Sequence, residues 1–204
     1  MLLFLDIISP IPEFCVIEDN KVILNRKIVS NNSDKLSDNI VETYIEINKY
    51  LNLRDNLKKI VITTGPGSYT SLRVGIAFVS GLKLSIKLKI SSLSVNDILK
   101  FNSKKYNINS LGIFINSGNH QKFLCWINNT KKINYLKIDN NKDIFSDKFK
   151  IILYNHNQLE INKSVLVQKK FYFVNELLDN IKDINFTDNS IIRPIYVSNN
   201  AVLN

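Results

Sequence analysis

The chain is poor in the residues that build covalent, metal-held or membrane-spanning structures. Only two cysteines, Cys15 and Cys125, stand in its 204 residues. Two cannot make a disulfide framework, and both sit inside apolar strand-like runs, so they are expected to be reduced core residues of a cytosolic protein. The two histidines, His120 and His156, lie far apart with no cysteine or paired acids at ligand spacing, which argues against a metal centre. No serine, cysteine or metal constellation can be assembled, so a protease finds no support. The apolar start, Met1 to Ile8, has no basic flank and is interrupted by Asp6. It is expected to be a first strand, not a signal peptide or membrane span. Neither a dense arginine patch nor an aromatic-interleaved basic run is present.

What is abundant is lysine, asparagine and isoleucine. Lys and Arg outnumber Asp and Glu by 27 to 18, a net charge of +9. That excess fits contact with nucleic acid or an acidic partner, and is equally what an AT-rich genome gives for no functional reason. The length allows one compact domain or two small ones, with enough apolar content for a core.

The organising stretch is Thr63 to Leu88. The apolar run Ile60-Val61-Ile62 leads into Gly65-Pro66-Gly67, and a helical pattern follows with Ser68 as N-cap. A strand stops, a tight loop turns, and a helix begins. Such a loop aims free amides beyond the strand end, which suits an anion. It lacks the Lys-Ser/Thr pair of a P-loop and a third glycine at dinucleotide spacing, and close packing of strand on helix explains it as well. On the helix, Leu72, Gly75, Ile76, Val79, Leu82 and Ile86 form one apolar face. Val74, Ala77, Phe78, Gly81, Leu84 and Ser85 form an opposite one, also apolar or small. A helix covered on both faces needs a neighbour outside its own sheet.

Around this stretch the pattern predicts strands over residues 2–8, 14–18 and 22–29, a helix from the Asn31-Asn32-Ser33-Asp34 cap to about Leu51, a strand over 58–64, the glycine helix, a strand over 89–93 and a helix over 94–101. The first helix buries Leu36, Ile40, Ile47 and Leu51, and leaves Val41 and Ile45 beside Ser37 and Asn48 as a second apolar strip. The polar run Asn102 to Asn109 is the expected domain boundary. Strands over 111–115, 121–127 and 132–138 then repeat the opening, with Asn128-Asn129 as a turn. A short helix over 144–149, strands over 151–154 and 164–167, a helix over 174–181 and an extended tail over 191–197 complete an α/β chain with mixed sheets.

The residues GPGSYTSLRVGIAFVSGLKL resemble the glycine-loop and long-helix signature of the TsaB (YeaZ) family, the bacterial dimerisation subunits for threonylcarbamoyladenosine synthesis in tRNA. Thinner likeness extends to Leu5-Asp6, to Asn32-Ser33-Asp34-Lys35-Leu36 and to Pro194-Ile195-Tyr196. The resemblance implies the actin-like ATPase and sugar-kinase (ASKHA, RNase H-like) fold, with two related domains at 1–102 and 103–204, the second smaller and divergent. It implies a cytoplasmic, non-catalytic scaffold without a cofactor. The scaffold would pair with the transferase subunit TsaD through the first domain's two helices, with the ATPase TsaE joining and homodimers available to the free chain. Its contact residues would be Ser37, Val41, Ile45, Val74, Ala77, Phe78, Gly81 and Ser85. Gly65, Pro66, Gly67, Ser68, Thr70 and Arg73 would form the glycine loop and helix start, and Asp6 would mark a vestigial phosphate site. Transfer RNA would be met only indirectly or weakly. The other reading is an ATPase or small-molecule kinase, with Asp6 and the Gly65 to Ser68 amides holding magnesium-bound phosphates. Against it, Asn116 stands where the second domain would need an acid.

Overall fold

The computed structural model describes residues 1–29, 34–127, 131–138, 149–156, 167–188, 191–198 and 202–203. Strands β1 (Leu2–Asp6), β2 (Glu13–Glu18) and β3 (Lys21–Lys27) form an antiparallel meander. Helices α1 (Leu36–Leu51) and α2 (Leu53–Asn56) lead to β4 (Lys59–Thr63), which pairs parallel with β1. The chain continues through α3 (Tyr69–Ser85) to β5 (Lys89–Leu93), parallel to β4, and then α4 (Val95–Tyr106). The same plan recurs. Strands β6 (Leu111–Asn116), β7 (Lys122–Ile127) and β8 (Ile133–Ile138) form a second meander. Parallel strands β9 (Ile151–Tyr154) and β10 (Val167–Lys170) extend it, and α5 (Phe173–Asp179) follows. The short pair β11 (Tyr196–Val197) and β12 (Val202–Leu203) comes last. The two five-stranded sheets have the orders β3-β2-β1-β4-β5 and β8-β7-β6-β9-β10, the same topology twice.

Period-two alternation divides the cores. Leu3 and Leu5 of β1 face a cluster shared with α1 and α3, including Ile40, Ile47, Leu72 and Val79. Leu2 and Phe4 face the opposite way, into a second cluster that holds Ile113, Ile115 and Phe123 of the second sheet, Ile98 and Leu99 of α4, and Phe173 and Leu177 of α5. The two sheets therefore share one core, and α1 and α3 cover the outside of the first. A smaller cluster, Phe114, Leu124, Ile138, Phe149 and Ile152, lies on the outside of the second.

Several boundaries differ from the sequence expectation. Helix α1 starts at Leu36 behind Lys35, whose side chain makes no cap bond. Of the predicted cap residues, Asn31, Asn32 and Ser33 lie outside the described residues. Helix α4 runs on through Asn102 to Tyr106, into the polar run expected to be a boundary. A reciprocal Ser94–Asp97 capping box starts it, and buried Asn102 donates to the Ile98 carbonyl at 3.0 Å instead of breaking the helix. The last strand of the second sheet is described at Val167–Lys170; it runs past the predicted end at 167, and residues 164–166 of the predicted strand lie outside the described residues. It is an edge strand, where lysine is tolerated and apolar alternation is weak. The four-residue α2 was not expected, and the predicted turn at 128–129 and most of the predicted helix at 144–149 lie outside the described residues.

Candidate functional site

At the carboxyl ends of β1 and β4 the backbone is organised by Asp6. Its Oδ1 accepts from the Ile8 N–H at 2.9 Å, the Ser9 N–H at 3.2 Å and the Thr63 hydroxyl at 3.2 Å. The Thr63 hydroxyl in turn accepts from the Ile7 N–H at 2.9 Å. Burial raises the Asp6 pKa above the ordinary carboxylate value, and the hydrogen bonds from Ser9 and Ile8 offset only part of that. Its carboxylate is therefore occupied by its own strand end.

The glycine loop follows directly. Gly65 has φ of +110°, a conformation that suits glycine, and its bond to Pro66 is cis. A Cβ placed on Gly65 would lie 2.6 Å from the carbonyl oxygen of Ile195, and one on Gly67 would lie 3.2 Å from the Ser117 hydroxyl. Ile195 N–H donates to the Thr64 carbonyl at 2.7 Å, and Ser68 N–H donates to Ser117 Oγ at 3.0 Å. Ser68 occupies the N-cap position, but its side chain makes no cap bond, contrary to the sequence expectation. The space beyond the strand end is filled by Ser117 of the second half and by the extended segment at Ile195. Just outside it, Arg73 lies over the Tyr69 ring at 4.0 Å, and that ring lies 4.8 Å from Tyr196. Thr70 is exposed beside them.

Gly75 and Gly81 of α3 differ in surroundings. A Cβ on Gly75 would lie 2.7 and 2.9 Å from two carbons of Ile7, so this glycine lets the helix sit against the sheet. A Cβ on Gly81 would meet nothing within 4 Å. The rings of Phe14, Tyr44 and Phe78 join β2, α1 and α3, with centroid separations of 5.5 to 6.4 Å. Such pairs contribute about 0.5–1.5 kcal/mol each beyond their buried area, which fixes α1 against α3.

Of the predicted contact residues, Val74 and Phe78 are half-buried and pack against the inner core. Ser37, Ala77, Gly81 and Ser85 are exposed, as are Val41 at 52% and Ile45 at 45%. Leu84 is 90% exposed on the same side of α3 as Ala77 and Gly81, although it was not among the predicted contacts. Its spacing of seven from Ala77 and three from Gly81 was the signal for it. The α1–α3 pair thus carries an open apolar seam on the side away from the sheet.

Two sheets of one topology, each a meander extended by two parallel strands, with helices between and outside them, define the actin-like ATPase and sugar-kinase class. The sequence model of the family described as TsaD, tRNA N6-adenosine threonylcarbamoyltransferase, matches residues 26–200. The chain belongs to this family. A curated relative, the tRNA threonylcarbamoyladenosine biosynthesis protein TsaB of Bacillus subtilis (strain 168), is 37% identical over 51 residues, 25% of this chain and 22% of that protein. A solved Pseudomonas aeruginosa protein described as uncharacterized, with similarity to peptidase YEAZ, superposes with a TM-score of 0.62 at 11% identity, covering 97% of this chain and 99% of that one. YeaZ from Pseudomonas aeruginosa superposes with a TM-score of 0.57 at 11% identity over 96% and 99%. These two establish a common fold.

Among the described residues no group of three or more His, Cys, Asp or Glu side chains could hold a metal ion. No described helix is long and apolar enough to cross a membrane.

Proposed function

We propose that the chain is a non-catalytic subunit of the machinery that makes threonylcarbamoyladenosine in tRNA, acting in the cytoplasm and pairing with TsaD through α1 and α3. The observation that carries this reading is the open seam of Val41, Ile45, Ala77, Gly81 and Leu84 on a helix pair already fixed to its own sheet. Contiguous exposed apolar surface of this kind marks a protein contact, and small residues at its centre let a partner helix approach closely. TsaE would join the pair, and the free chain would use the same seam to pair with itself. Asp6, whose carboxylate accepts from its own strand end, and the Ser68 N–H, which donates to Ser117, support a scaffold over an ATPase, because both already have protein partners.

Gly81→Leu tests this proposal. The new side chain enters open space and a better helix former replaces glycine, so thermal stability should hold or rise slightly, while co-purification with TsaD should be abolished. Unchanged complex formation would sink the seam as the contact. Calorimetry with ATP and magnesium gives the complementary check, since micromolar binding by the isolated chain would favour the ATPase reading.

A further inference from the structure

The exposed face of α3 does not end at the apolar seam. Arg73 lies four residues before Ala77 and eleven before Leu84, so the three stand within about 40° of one another around the helix axis. All three are exposed. Arg73 therefore stands at the glycine-loop end of the seam. Its guanidinium lies 4.0 Å from the centre of the Tyr69 ring, and that ring lies 4.8 Å from the ring of Tyr196. Both ends of this stack are tied down. Tyr69 opens α3, whereas Tyr196 follows Ile195, whose N–H donates to the Thr64 carbonyl, and pairs with Leu203 in the short β11–β12 sheet. The fold thus positions the guanidinium and leaves its charge unanswered. Among the described residues no carboxylate lies within ion-pair distance of it. The first turn of α3 carries no acid either, so the partial positive charge of the helix start adds to that of Arg73.

We infer that Arg73 is the charged anchor of the protein contact, taking a carboxylate of the partner that covers the seam. The inference rests on the reading that α1 and α3 bind TsaD, and it names what that partner must present: an Asp or Glu at the edge of its apolar contact surface. A guanidinium with one face on a ring keeps its planar N–H edge for a two-pronged bond to a carboxylate. Arginine and tyrosine are enriched among the residues whose truncation costs most in protein contacts, and a side chain already held in place loses little freedom on binding. A phosphate backbone would answer the charge equally, but it would leave Ala77, Gly81 and Leu84 uncovered on the same face.

The test is biolayer interferometry of the full chain on immobilised TsaD at about 50 and 300 mM salt. Arg73→Ala should weaken low-salt binding at least about tenfold, and Arg73→Glu at least about tenfold further, because the reversed charge meets the partner's carboxylate. The gap between the two should narrow at the higher salt. Arg54→Ala, which removes the same charge from exposed α2, should change binding less than about twofold. Equal affinities for Arg73→Ala and Arg73→Glu would overturn the proposal, since no carboxylate would then face the guanidinium. So would equal losses for Arg73→Ala and Arg54→Ala, or an Arg73→Ala chain that loses binding to a labelled tRNA transcript and keeps its grip on TsaD. If Arg73→Ala does not fold, Arg73→Gln takes its place with the same outcomes. Gly81→Leu, measured alongside, separates the anchor from the seam. Normal binding by Gly81→Leu with weakened binding by Arg73→Ala leaves the anchor standing and removes the seam, and the reverse pattern overturns the anchor alone.

Discussion

The two halves share a topology and finish their central strands in opposite ways. At the end of β1 a buried carboxylate, Asp6, gathers two backbone N–H groups and a threonine hydroxyl. At the corresponding end of β6 the neighbouring parallel strand supplies a neutral amide. Asn155, just beyond β9, accepts from the Asn116 N–H and donates to the Asn116 carbonyl, both at 2.8 Å. The side chain of Asn155 behaves as one more residue of the sheet ladder. One end is held by a buried acid and the other by an amide that bridges neighbouring strands. The difference shows that one strand order can close equivalent strand ends with a buried acid in one half and a neutral amide in the other.

The comparison can be broken most severely at the amide pair. Asn155→Ala leaves a buried N–H and C=O of Asn116 without these partners, and should cost about 2–5 kcal/mol in urea denaturation. Thr63→Val removes one acceptor from the Ile7 N–H and one donor to Asp6, and should cost about 1–3 kcal/mol. An Asn155 variant no less stable than the Thr63 variant would show that the second strand end does not depend on its amide ladder.

The two glycines of α3 sharpen the contrast between inner and outer surface. Gly75→Val pushes carbon into Ile7 and should destabilise by about 1–3 kcal/mol. Gly81→Ala meets open space and should stabilise the helix by about 1 kcal/mol. Matching signs in thermal melts would mean that α3 does not have one packed and one open side.

The subtlest contrast is in pH dependence. Because burial raises the folded-state pKa of Asp6 above its unfolded value, the folded chain holds that proton more tightly, and stability falls as pH rises through the folded pKa. Asp6→Asn keeps an acceptor oxygen but removes the charge, so it should melt higher than wild type at neutral pH. The advantage should vanish below about pH 4, where both side chains are neutral. The corresponding change at Asn116, to Asp, should introduce a new loss of stability with rising pH. A pH-independent difference for Asp6→Asn would mean that its ionisation is not coupled to folding.

Much of this architecture was legible because strong local patterns agree with the final packing. The runs at Lys89–Leu93 and Ile151–Tyr154 are strands with the bounds that their apolar patterns predict. The repeated meander was readable from three short runs in each half. Asn102 misled because asparagine in a polar run reads as a loop, whereas its partner Glu176 lies 74 positions away. Val167–Lys170 misled because an exposed edge strand does not need alternating apolar residues. At the site, the glycine loop was plain, but its covering was not. Nothing near Gly65 in sequence signals that Ile195 will sit upon it or that Ser117 will accept from Ser68. The exposed seam on α3 was half visible, since a doubly apolar helix announces a second neighbour without showing that Val74 and Phe78 turn partly inward.

The Ile195–Thr64 hydrogen bond has a consequence for synthesis. The carbonyl of Thr64 finds its partner 131 positions later (195 minus 64). During translation the opening half therefore leaves the ribosome with this site uncapped, and contacts so distant along the chain form late because of the entropy of closing a long loop. A nascent chain halted before residue 195 should keep the glycine turn accessible to protease, and release of the remaining residues should protect it.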